Sequence, residues 1–88
     1  MKRITTKQLE AAIDTLNEKK GTPATPYSKK IDGEFQANIG NYHVSQAYGG
    51  NRLDQMAAES GGTRVISMGG YIPKRDLLDQ INEMINIL

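Results

Sequence analysis

The chain has 88 residues and carries eleven Lys and Arg against ten Asp and Glu, a formal net charge of +1. A chain this short is one domain that buries only about 60–65% of its unfolded surface, which supports a modest core or one completed by a partner. The lack of cysteine excludes disulfides and thiolate metal sites. The near-neutral balance gives no global signature of nucleic-acid or anionic-membrane binding. No apolar run approaches the ~20 residues of a membrane span. Residues 1–20 lack the apolar centre of a signal peptide, so the expected location is the cytoplasm.

Thr5 and Gln8 form a capping box, and Ile4 and Leu9 occupy the two hydrophobic-staple positions. Leu9, Ala12, Ile13 and Leu16 then recur at the spacing of one buried helical stripe. Lys19 and Lys20 suit the negative end of that helix and Gly21 suits a left-handed stop. Pro23 and Pro26 keep the next stretch extended. Asp32-Gly33 predicts a hairpin between Tyr27–Ile31 and Glu34–Ile39. Gly40-Asn41 offers a second turn into a strand from Tyr42 to Gln46. Tyr48-Gly49-Gly50 ends it, and Asn51 reads as the N-cap of a short helix carrying Leu53, Met56 and Ala57. Gly61-Gly62 stops that helix. A strand is expected within Thr63–Met68, and Gly69-Gly70 turns the chain again. Pro73 fits the first position of a last helix, whose Leu77, Leu78, Ile81, Met84, Ile85 and Leu88 form a broad apolar stripe.

The expected fold class is α+β in the order α-β-β-β-α-β-α. A small antiparallel sheet of three to four strands carries the N- and C-terminal helices on one face. All 88 residues form a single domain, without solenoid repeats or low-complexity tracts.

Three features could carry chemistry. The first is the glycine pairs Gly49-Gly50, Gly61-Gly62 and Gly69-Gly70. Glycine lets the backbone approach a ligand closely, and helix N-termini suit anions. None of the pairs matches a phosphate-loop or dinucleotide fingerprint, and each also sits where a turn is needed. The second is the start of the last helix. Ile72 is a poor cap for Pro73, and Lys74 and Arg75 stand where the dipole disfavours cations. An anionic ligand would relieve both. The alternative is that both side chains point into water and Asp76 compensates. The third is Tyr42, His43, Tyr48, Arg52, Arg64 and Tyr71, residue types that recur at binding surfaces and lie near the glycine turns. They would line one groove, unless Tyr42 and Tyr48 serve the sheet or core and the arginines are solvated.

His43 is the only histidine. With no cysteine and no acidic ligand motif, no metal site is expected. Ser45, Ser60 and Ser67 lack a nucleophile-elbow context, so no catalytic residue and no cofactor is expected. Glu10, Asp14 and Glu18 recur at four-residue spacing. That row reads as a solvated face or as an acidic stripe turned to a partner.

The strings Ala37-Asn38-Ile39-Gly40-Asn41-Tyr42-His43 and Ala47-Tyr48-Gly49-Gly50, with the second glycine pair and Gly69-Gly70-Tyr71-Ile72-Pro73-Lys74-Arg75-Asp76-Leu77, resemble small bacteriophage and prophage proteins of unknown function. The resemblance covers most of the chain. It implies a phage accessory protein that is not an enzyme and binds a host macromolecule, in host takeover or defence inhibition. It brings no assigned active site. Three binding readings stay open. In the first, the partner is a host protein. In the second, an anionic nucleotide signal is sequestered in a glycine-lined pocket. In the third, nucleic acid is held weakly by Lys2, Arg3, Lys7, Lys19, Lys20, Lys29 and Lys30. The wide stripe of the last helix also raises burial between two copies, a homodimer. No membrane partner is expected.

Overall fold

The computed structural model describes residues 3–88, so Lys2 lies outside the described residues. The N-terminal helix α1 spans Thr6–Lys20. Its capping box forms as expected: the Gln8 amide donates to Thr5 Oγ1 at 3.1 Å, and the Thr5 amide donates to Gln8 Oε1 at 2.8 Å. Gly21 closes the helix at φ 69°, a conformation open to glycine at no steric cost. Leu9, Ile13 and Leu16 are buried, and so is Asn17.

Strands β1 (Tyr27–Lys29) and β2 (Phe35–Ala37) pair antiparallel with Tyr27 opposite Ala37 and Lys29 opposite Phe35. Asp32 Oδ1 accepts from the Glu34 amide at 3.0 Å within the turn. This two-stranded sheet stands apart from the helices, and Ile31 and Phe35 are exposed on it. Asn38 ties its base, donating from Nδ2 to the Thr25 carbonyl at 3.0 Å and to Ser28 Oγ at 2.8 Å.

The second sheet holds β3 (Tyr42–Ala47), β4 (Gly50–Met56) and β5 (Thr63–Val65) in that order, all antiparallel. Residues 51–57 are therefore not the short helix expected from the sequence. Tyr48 and Gly49 both have positive φ, 53° and 73°, so they form the two-residue turn that favours a hairpin. Beyond it, Leu53 faces the helices while Arg52 and Asp54 face away, the period of a strand. Asn51 is not a helix cap. It exchanges backbone hydrogen bonds with Ile72, both 2.8 Å, and its Oδ1 accepts from Gln46 Nε2 at 2.9 Å. Gly61-Gly62 consequently turns β4 into β5 rather than ending a helix.

The C-terminal helix α2 spans Lys74–Asn86 with Pro73, not Ile72, as its N-cap and with no side-chain cap. Leu9, Ile13 and Leu16 of α1, Tyr42 of β3, Leu53 of β4, and Leu77 and Ile81 of α2 form one core. Both helices thus cover one face of the three-stranded sheet, and the α+β class holds with five short strands in two sheets. Leu78, Met84 and Ile85 pack against the same core. Most of the α2 stripe is therefore consumed within the domain, leaving Ile87 and Leu88 exposed.

Gly50 is needed for close approach: a Cβ there would lie 2.7 Å from the Tyr71 carbonyl carbon. Gly50→Ala is expected to lower stability by about 1–3 kcal/mol in urea titration. Gly62→Ala, whose Cβ would meet Ala58 at 3.4 Å, should cost less.

Candidate functional site

The helix-free face of the three-stranded sheet carries a polar ladder. Arg52 and Asp54 are two residues apart on β4 and so share a face. Arg52 Nε donates to Asp54 Oδ1 at 2.8 Å and Nη2 donates to Oδ2 at 3.0 Å. Ser45, opposite Arg52 on β3, donates from Oγ to Asp54 Oδ2 at 2.6 Å. Asp54 is 2% exposed. The guanidinium of Arg52 lies 4.5 Å from the centroid of the Tyr71 ring, within cation–π range. Tyr71 in turn meets Tyr48 edge-on, with centroids 5.6 Å apart and planes at 65°.

Electrostatics hold this ladder in place. Burial opposes the charge on Asp54, but the hydrogen bonds from Arg52 and Ser45 outweigh it and keep the carboxyl below its ordinary range. The bond to Asp54 also raises the pKa of Arg52. A bidentate fork with a planar stacking surface fixes the guanidinium in orientation as well as in charge.

Tyr48 is the outer rung. It is 95% exposed and is the one non-glycine residue at positive φ among the described residues. The left-handed conformation costs an L-residue about 1–2 kcal/mol, and a bulky side chain is rare there. The turn therefore holds an aromatic ring out in solvent at a conformational cost.

Of the residues singled out in the sequence, Tyr48, Gly49, Gly50, Arg52 and Tyr71 meet at this end of the sheet. Gly69 and Gly70, at φ 90° and 69°, turn the chain so that Tyr71 reaches Gly50. Gly61-Gly62 does not join them. A Cβ on Gly61 would lie 2.9 Å from the Tyr27 hydroxyl, at the base of the β1–β2 hairpin. Two glycine pairs gather and the third lies apart. Gly49, Lys74 and Arg75, with Arg3, line a shallow depression beside the start of α2. Tyr42 belongs to the core, on the face opposite the ladder, where it is 6% exposed. Arg64 is engaged by Gln55, donating from Nε and Nη2 to Oε1 at 3.0 and 2.6 Å. His43 stands across from Asp54, with Nδ1 3.2 Å from Asn41 Oδ1. The basic residues of the N-terminal half divide among the chain start (Arg3), α1 (Lys7, Lys19, Lys20) and the β1–β2 hairpin (Lys29, Lys30).

Sequence reasoning missed Ser45 and Asp54. Read as helix, residues 51–57 place Asp54 on an ordinary solvated face. The strand period would have put it beside Arg52. Among the described residues no group of acidic or histidine side chains could hold a metal ion, and no buried side-chain polar atom lacks a partner. No helix is long and apolar enough to cross a membrane. Comparisons with protein-family models, with curated proteins and with solved structures find no match to this chain.

Because the folded-state pKa of Asp54 lies below its ordinary value of 3.8, its stabilisation is complete above that value and is lost as pH falls through the lower folded one. Wild type is therefore expected to exceed Asp54→Asn in stability at neutral pH. The gap should close below about pH 4. Urea midpoints of the two proteins across pH 2–7 check this.

Proposed function

We propose that this chain is a non-enzymatic binding protein that grips a partner protein by the Tyr48–Tyr71–Arg52 ladder. The observation that carries the reading is Tyr48, an exposed ring held at φ 53°. Strain of this kind gathers at functional positions, and the core takes nothing from a side chain that is 95% exposed. Tyrosine and arginine dominate the energetics of many interfaces. Here the arginine is oriented in advance by Asp54 and Ser45, which lowers the ordering cost of association. In this reading the partner is a protein of the bacterial host, bound in the cytoplasm, as the resemblance to phage proteins implies. The basic depression lined by Arg3, Lys74 and Arg75 favours, as a second reading, an anionic small molecule such as a nucleotide.

Tyr48→Asn separates function from fold, because asparagine tolerates the left-handed conformation better than tyrosine. The variant is expected to be as stable as wild type or more so. A loss of about 2 kcal/mol or more from a central tyrosine weakens the partner's Kd by roughly 30-fold. The check is quantitative capture from bacterial lysate with both proteins as bait, followed by titration of the protein retained. A retained protein that binds both baits equally would overturn the assignment of the ladder. Specific melting shifts with nucleotides and no retained protein would favour the second reading.

A further inference from the structure

A second surface, distinct from the ladder, lies along the outer edge of β3. Among the described residues no strand lies beyond β3. Ala47 and Gly50 close the two-residue turn, so the main chain of Ala47, Ser45 and His43 bonds towards β4. By alternation the main chain of Tyr42, Val44 and Gln46 points to the open side. The buried side chain of Asn17 supports this phase. Its Oδ1 accepts from the Tyr42 amide at 2.8 Å, and its Nδ2 donates to the Tyr42 carbonyl at 2.9 Å. Asn17 thus stands in for a neighbouring strand at Tyr42. Among the described residues nothing does the same for Val44 and Gln46.

Natural edges are usually blunted by short strands, proline, lysine or bulges. The β1 edge has Pro26 before it and Lys29 and Lys30 at its end, and β5 has only three residues. β3 has six residues, none of them proline or lysine. A groove runs beside it, lined by Glu10, Ile13 and Asp14 of α1 and by Tyr42 and Val44 of β3. Glu10 and Asp14 are exposed and join no ion pair among the described residues.

We propose that the β3 edge accepts an extended, basic segment of a partner protein as an added strand. Val44 and Gln46 supply two amides and two carbonyls in the spacing of an antiparallel or parallel partner. A lysine or arginine stem would lie along Ile13 and Val44 while its charged head reaches Glu10 and Asp14. The acidic row on α1 is then the selective element of the groove. The same charges argue against a second copy as occupant. A two-fold pairing of β3 with its copy would bring the two α1 helices together with Glu10 and Asp14 facing their equivalents.

The test uses capped synthetic hexapeptides, first on the wild-type protein and then on a variant of the acidic row. One alternates lysine with valine, the second replaces lysine by glutamate, and the third carries N-methyl groups on alternate amides of the lysine peptide. Amide exchange and chemical shifts are followed by NMR. The lysine peptide is expected to slow exchange at the Val44 and Gln46 amides by about tenfold or more and to move the shifts of α1 around Ile13. It should bind about three- to tenfold tighter than the glutamate peptide. The N-methyl peptide should not bind. The double variant Glu10→Gln, Asp14→Asn should retain the protection but lose the preference. Unmoved Val44 and Gln46 amides at millimolar peptide would overturn the proposal. So would equal binding of the glutamate peptide. Protection that rises with protein concentration alone would overturn it in favour of a second copy.

Discussion

The carboxamide of Asn17 decides how the helical and sheet layers meet. It sits in the last part of α1, buried, and bonds both the amide and the carbonyl of Tyr42 at the first residue of β3. Thr22 adds a bond from Oγ1 to Asn17 Oδ1 at 2.8 Å, and the Thr22 amide bonds the Asn17 carbonyl at 2.9 Å. One side chain therefore anchors Thr22 in the chain that leaves the helix and closes one pair of groups on the sheet edge. An unpaired main-chain amide and carbonyl buried at this point would each cost about 1–3 kcal/mol. That penalty makes the position of α1 along β3 specific in a way that apolar contact alone does not.

The same device recurs on the other helix. Gln80 of α2 accepts from the Met68 amide at 2.9 Å and donates to the Met68 carbonyl at 3.1 Å. Together with the Asn51–Ile72 exchange, this holds residues 66–72 against the sheet and delivers Tyr71 to Arg52. The apolar core sets how much surface is buried, and the carboxamides set which residues face each other. In a domain of this size, where hydrophobic burial alone is marginal, such directional contacts can give the arrangement its specificity.

The two faces of β4 divide the work. Leu53 is fully buried under the helices, while Arg52 and Asp54 build the ladder on the opposite side. Asp54 is as buried as the core, yet its cost is offset by three charge-assisted bonds, so the pair acts as a rigid support for Tyr71 rather than as a titrating group at neutral pH. The rigid support carries an exposed tyrosine in a strained turn. A well-determined base with an exposed aromatic tip is the arrangement that limits entropy loss on binding.

Local sequence determined both ends of this protein. The Thr5–Gln8 box, the α1 stripe, Gly21, the Asp32-Gly33 turn and the α2 stripe each act within a few residues, so their signals are readable without the rest of the chain. The middle was decided by tertiary structure. Residues 50–56 carry both a cap-like Asn51 with helix-spaced Leu53, Met56 and Ala57, and an alternating strand pattern. The pairing with β3 and β5, and the close approach of Tyr71 to Gly50, selects the strand. Because the ladder needs that strand, Asp54 and Ser45 became visible only with the pairing known, and Tyr42 moved to the core for the same reason. Asn17 and Gln80 read locally as ordinary polar helix residues. Only the tertiary structure brings their carboxamides to main-chain groups, of β3 for Asn17 and of the 66–72 segment for Gln80, since hydrogen-bond partners twenty-five and twelve residues away leave no local trace.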